Sequence, residues 1–252
     1  MSPWSALAIF AAGLAAGTVN VVVGAGSLIT FPLLLALGYP PVLANVANNV
    51  GLVPGNLSGS IAYRHELVGQ RDRVVRLGAA SVAGGVTGAV LLLALPGTVF
   101  RAAVPELILA ASVLMAVQPR ISRWLDGRGE RPDHGGGVLL VGVFLCAVYG
   151  GYFGAAQGVV LLSLLAIFVH DGLQRLNATK NVLVTLVNLV AAVVFITSAH
   201  VLWSVALLIG AGTTIGGQLG ARVGRRLPTP VFRWTVVTVG VVVSVVLAVE
   251  WF

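Results

Sequence analysis

Apolar residues run along this chain in stretches of about 15–25, broken by glycines, prolines and short arginine-bearing links, and the helical period rather than strict alternation governs the polar residues inside them. The pattern predicts two sets of five segments. In the first, a hairpin of two short arms near 4–17 and 19–37 precedes spans near 42–63, 74–96 and 99–119. The second repeats this near 136–149, 151–169, 177–198, 203–221 and 230–250. Each hairpin arm has roughly 17 residues, about 25 Å of helix, barely enough to cross a hydrocarbon core of about 30 Å. The hairpins therefore cross a thinned region or are re-entrant with their tips inside the protein.

The two sets are one unit written twice. Adding 132 carries Gly26 onto Gly158, Asn45 onto Asn177, Asn49 onto Asn181 and Asn56 onto Asn188 without a gap. Further on, Gly84-Gly85, Gly88-Ala89 and Val99-Phe100-Arg101 meet Gly216-Gly217, Gly220-Ala221 and Val231-Phe232-Arg233. Duplication within an apolar chain is the signature of transporters that bind substrate between two repeats. The expected division is a first repeat over 1–119, a cytoplasmic connecting loop over 120–135 and a second repeat over 136–252, all within one membrane domain. A secretory signal at 1–20 is rejected, because its counterpart at 135–152 is internal.

Composition sharpens the class to an all-α integral membrane protein, since 58% of residues are hydrophobic and 9% charged. The net charge of +7 would suggest nucleic acid in a soluble chain, but the basic residues flank apolar stretches and read as topology signals, so no nucleic-acid partner is expected. The lone cysteine, Cys146, lies in an apolar segment and excludes a disulfide framework or a cysteine metal site; no cofactor is implied. A hairpin returns the chain to its starting side, so each half makes an odd net number of crossings and the repeats are inverted. That arrangement puts fourteen of the fifteen Lys and Arg residues on one side, with only Arg101 opposite; parallel repeats would split them eight to seven. The positive-inside rule thus predicts about ten segments in two inverted five-segment repeats in the cell (inner) membrane, with both chain ends outside the cytoplasm.

Polar residues within the spans carry the candidate chemistry. Asn45, Asn49 and Asn56 fall within roughly a 40° stripe of one helix, and Asn177, Asn181 and Asn188 repeat it. A carboxamide facing lipid is left unsatisfied, so these six face protein, water or a ligand; interhelical hydrogen bonding alone is the alternative. The hairpin tips form a second group: Gly17 to Asn20 and Gly24-Ala25-Gly26-Ser27 in one half, Tyr149 to Gly158, including Gln157, in the other. Glycines there break the helix and let backbone N–H groups and a following helix N-terminus approach an anion, or they simply mark packing kinks. Lys180 stands where the first repeat has Asn48, and it either raises the local potential or snorkels to the surface. Glu106, the one acidic residue well inside a span, is a proton-coupling candidate or the partner of an arginine. GxxxG spacings at Gly13, Gly55, Gly84 and Gly216 predict close helix packing. No P-loop or HExxH motif is present, so no enzyme chemistry is expected.

The run from Gly24 through Phe31-Pro32 to Pro40-Pro41, the Asn-bearing helix and basic loop after it, and the second-half run Gly150 to Asn181 resemble the sulfite exporter TauE/SafE family over nearly the whole chain. The resemblance implies a secondary transporter of a small sulfur-containing anion such as sulfite, sulfoacetate or thiosulfate, with the lipid bilayer as its surroundings and a homo-oligomer compatible with it. The rival expectation is a non-transporting membrane enzyme or assembly factor whose asparagines only join helices. On the transport reading the substrate sits at mid-membrane, held by Asn20, Gly24, Gly26, Ser27, Asn45, Asn49, Asn56, Gln157, Gly158, Asn177, Lys180, Asn181 and Asn188. Asn49, Asn181 and Gln157 donate from side chains, the tips donate from the backbone, and Lys180 supplies charge.

Overall fold

The computed structural model describes residues 1–126, 136–223 and 229–251, and these form an all-helical protein. The first repeat contributes α1 (Pro3–Val22), α2 (Ser27–Ala36), α3 (Pro41–Ala62), α4 (Arg71–Ala94) and α5 (Gly97–Asp126); the second contributes α6 (Gly137–Tyr152), α7 (Gln157–Phe168), α8 (Leu173–Ser198), α9 (Trp203–Val223) and α10 (Thr229–Trp251). A 3₁₀ turn, Arg64–Leu67, joins α3 to α4. Five of these helices, α1, α4, α8, α9 and the Gly97–Val117 part of α5, are long and apolar enough to cross a membrane by length and composition. The expected connecting loop begins later than residue 120, because α5 runs on to Asp126; residues 127–135 of that loop, including Arg128 and Arg131, lie outside the described residues.

Local sequence explains where the helices start and turn. Ser2 accepts a hydrogen bond from the Ser5 N–H at 3.1 Å and Pro3 opens α1, while Pro41 opens α3, where a missing N–H is harmless. Gly38, at φ +83°, ends α2, with Tyr39 N–H donating back to Leu34 at 3.1 Å. The same backbone device ends both long hairpin arms: Gly24 N–H donates to Val19 and Gly154 N–H to Tyr149, at 3.2 and 3.1 Å, with φ of +86° and +77°.

The hairpins differ from expectation in where they break. Gly17 to Asn20 and Gly150 to Tyr152 are helical, and the turns fall at 23–26 and 153–156. The glycines inside the arms serve packing instead. A Cβ on Gly17 would overlap the Thr213 main chain of α9, and one on Gly151 would overlap Gly85 and Ala89 of α4. Gly13, Gly84, Gly88, Gly212, Gly216 and Gly220 are likewise closed by a neighbouring backbone, as GxxxG crossings require. The first arm therefore reaches 20 residues, about 30 Å, whereas α2 has 10, about 15 Å, which is half a bilayer core.

The repeats exchange their hairpins. α1 packs along α9 of the second repeat and α6 along α4 of the first, each pair running in the same direction: Gly13 meets Ile209 and Gly17 meets Thr213, while Gly84 meets Phe144 and Gly88 meets Val148. α3 and α8 lie between these pairs and touch each other, and α5 packs against α10. The largest apolar cluster surrounds the tips. In it Phe31, Phe100 and Phe153 meet edge to face at centroid distances of 5.1 to 6.4 Å.

Candidate functional site

The two hairpin tips touch. Gly158, in the first turn of α7, donates its N–H to the carbonyl of Gly24 at 3.1 Å, and a Cβ on Gly158 would lie 2.5 Å from the Gly24 Cα. At the first tip the Asn20 Oδ1 accepts the Gly26 N–H at 3.1 Å, and the Asn20 amide donates to the Asn56 Oδ1 of α3. The α2 N-terminus at Ser27 is buried beside this pair. At the second tip the Gln157 carboxamide lies over the bare Cα of Gly150, and Ala156 holds the left-handed conformation at φ 56°.

The stripe helices hold the opposite repeat's tip. Asn45 of α3 donates to the Tyr152 carbonyl at 2.9 Å, and Asn177 of α8 donates to the Val21 carbonyl at 3.4 Å, so each stripe's first asparagine secures the C-terminal turn of the other repeat's long arm. Lys180 breaks this symmetry. Its Nζ donates to the Asn20 and Val21 carbonyls, both at 3.3 Å, and its side chain is fully buried. Snorkelling to the surface is thereby ruled out, because the ammonium turns inward to the carbonyls that end α1, where a helix dipole favours a cation. The equivalent Asn48 instead accepts a hydrogen bond from Thr30.

Several buried polar atoms here have no partner: Asn49 Oδ1, Asn56 Nδ2, Gln157 Nε2, Asn177 Oδ1 and Asn181 Nδ2. Each such atom costs about 1–3 kcal/mol of lost hydration, and native interiors contain few of them. All five belong to residues singled out from sequence. Hydrogen bonds thus tie together Asn20, Gly26, Asn56, Lys180 and, through the shared Val21 carbonyl, Asn177, while Gly24 and Gly158 bond to each other, Gln157 is adjacent and Asn45 is bonded at the second tip. Asn49 and Asn181 follow Asn45 and Asn177 by one helical turn, and Asn188 is buried further along α8. Glu106 stands apart, on an exposed face of α5, while Val104, Ile108 and Met115 form the buried one.

A second polar group, missed in the sequence, lies where α4 and α8 begin. Asp171, in the link before α8, pairs with Arg73 and with Arg175, both at 2.8 Å. The buried Gln70 accepts from Arg73 at 2.6 Å and from Thr179 at 2.7 Å and donates to the Glu66 carbonyl at 2.7 Å. Burial pushes the Asp171 carboxyl up, but hydrogen bonds from Arg73, the Gly172 N–H and Arg175 outweigh it and hold the group below its ordinary value. Only the Asp171/Arg175 spacing of four hinted at this group; Arg73 is 98 positions from Asp171.

A duplicated, glycine-packed helical chain with buried carboxamides at the junction of two hairpins defines a multi-pass membrane transporter built from two repeats. The chain belongs to the sulfite exporter TauE/SafE family, whose model matches residues 9–247. It is similar to a probable membrane transporter protein of Haemophilus influenzae, 29% identical over 85% of this chain and 83% of that one. A probable membrane transporter protein of Sinorhizobium, ORF9, is 28% identical over 85% of this chain and 81% of that protein, and the probable membrane transporter protein YfcA of Escherichia coli is 24% identical over 97% and 90%. No solved structure matches.

Proposed function

We propose that this protein moves a small sulfur-containing anion such as sulfite, sulfoacetate or thiosulfate across the cell membrane by alternating access. The observation that carries this reading is the set of five unpartnered carboxamide atoms, three of them N–H donors, on α3, α7 and α8, with the buried Lys180 side chain hydrogen-bonded to the main-chain carbonyls that end α1. The three amide N–H donors and the Lys180 nitrogen suit an anion's oxygens, whereas the Asn49 and Asn177 oxygens can only accept.

The path proposed is a crossing of ten segments in two inverted repeats. Two observations support the inversion. α8 begins where α3 ends, since Arg175 donates to the Val68 carbonyl in the link after α3, and α3 and α8 are equivalent by the offset of 132. Arg73 and Arg175 meet at that same end, as the arginine count requires. Proteoliposomes loaded with sulfite, sulfoacetate or thiosulfate test the function, with a control cation alongside. Efflux of at least one anion is expected; a folded protein that moves none of them favours a non-transporting role.

A further inference from the structure

The two ends of the α3/α8 pair are lined by different chemistry. At the basic end Asp171 bridges Arg73 of the first repeat and Arg175 of the second, and Gln70 extends the bridge to Thr179 and, at 3.3 Å, to the Arg175 carbonyl. Gln70, Arg73 and Thr179 are all buried. Shifted by 132, the same positions at the opposite end are apolar or uncharged: Gln70 becomes Leu202, Arg73 becomes Val205, Asp171 becomes Tyr39 and Thr179 becomes Ala47. Those four residues lie together in the large apolar cluster. One end thus carries directional, charged hydrogen bonds between repeats, where the four equivalent positions at the other carry apolar contact.

We infer that Asp171, Arg73, Arg175 and Gln70 are the gate of the basic end, and that Asp171 is the positioning residue that sets which end of the transporter is open. The role presupposes the alternating-access reading above. Two conformations that expose opposite ends compete, and a bond present in only one of them shifts the balance by its own differential free energy. On this inference the clamp, made here between the two repeats, breaks when the basic end opens. Removing it must favour opening of that end and, because the two openings exclude each other, closing of the other. A merely structural staple behaves differently. Its loss loosens the protein and exposes both ends.

The test uses the full-length protein in proteoliposomes with Cys146→Ala and one reporter cysteine, at Ser60 beneath the clamp or at Leu202 at the opposite end. Ser60 is half-buried on α3 and bonds to Thr185 of α8, and Leu202 is half-buried before α9. With Asp171→Asn, labelling by a maleimide reagent at position 60 is expected to rise about fivefold while labelling at position 202 falls; Asp171→Glu restores both. Arg175→Gln, which removes the more exposed of the two pairs, should move the reporters in the same opposite senses, so the inference stays testable if the Asp171→Asn variant fails to fold. Labelling that rises at both ends, or changes at neither, overturns the gate. Anion efflux without opposite labelling changes sinks the gate and leaves the transport reading standing; opposite labelling changes with no efflux of sulfite, sulfoacetate or thiosulfate sinks the transport reading.

Discussion

The N–H of Gly158 donates to the carbonyl of Gly24 at 3.1 Å, so the two hairpin tips meet main chain to main chain at this point. Gly158 is close enough that a methyl group there would lie 2.5 Å from the Gly24 Cα, inside any real carbon–carbon contact.

Gly158→Ala should therefore lower stability by about 1–3 kcal/mol, the scale of overpacking a tight interior. Gly137→Ala, at a helix start with open space around it, should be neutral or slightly stabilising. Thermal unfolding in detergent compares them, and equal midpoints would contradict the close tip contact.

The asparagines separate by what they bond. Asn45→Ala removes a 2.9 Å bond to the Tyr152 carbonyl and should lower the melting temperature. Asn49→Ala and Asn181→Ala each delete a buried atom that has no partner, so stability should hold or rise. If those two bind anion, each replacement also weakens affinity by about 1–3 kcal/mol. Anion-induced thermal shifts that stay as large as wild type in both would remove them from the site.

Lys180 combines a hydrogen-bonding and a charge role that substitutions can part. Lys180→Gln keeps N–H donors for the Asn20 and Val21 carbonyls but not the charge, whereas Lys180→Met keeps neither. Folding should survive in the first and suffer in the second. Anion affinity should fall about tenfold or more in both, the scale of a charged hydrogen bond. Binding to Lys180→Gln at wild-type affinity, followed by thermal shift, would show that charge is irrelevant.

Acid should weaken the basic end. Asp171 titrates below its unfolded value, so its contribution is fully present above the unfolded pKa of about 4 and is lost as pH falls through the folded one. Melting curves from pH 6 down to 3 should therefore drop more steeply for the unaltered protein than for Asp171→Asn. Parallel curves would mean that the pairing contributes nothing to stability.

Much of the protein was already determined by its sequence, because the governing signals are local or periodic. Apolar stretches longer than a bilayer half-thickness dictate helices, an offset of 132 declares the duplication, and asparagines four and seven apart must share a helix face whatever surrounds them. Packing at the GxxxG pairs was legible for the same reason. What a glycine does within a helix was not: Gly151 looked like part of a break and is a crossing point, since only the arrival of Gly85 and Ala89 decides that its missing Cβ is filled by another backbone. The direction of a long side chain was equally undetermined. Lys180 turns inward because the end of α1 lies there to receive it, and Glu106 faces outward because α5 buries the opposite face. The Arg73–Asp171 pair joins residues 98 apart, and no one-dimensional pattern specifies it. Direct packing of α3 and α4 of the first repeat against α8 of the second brings the two links together.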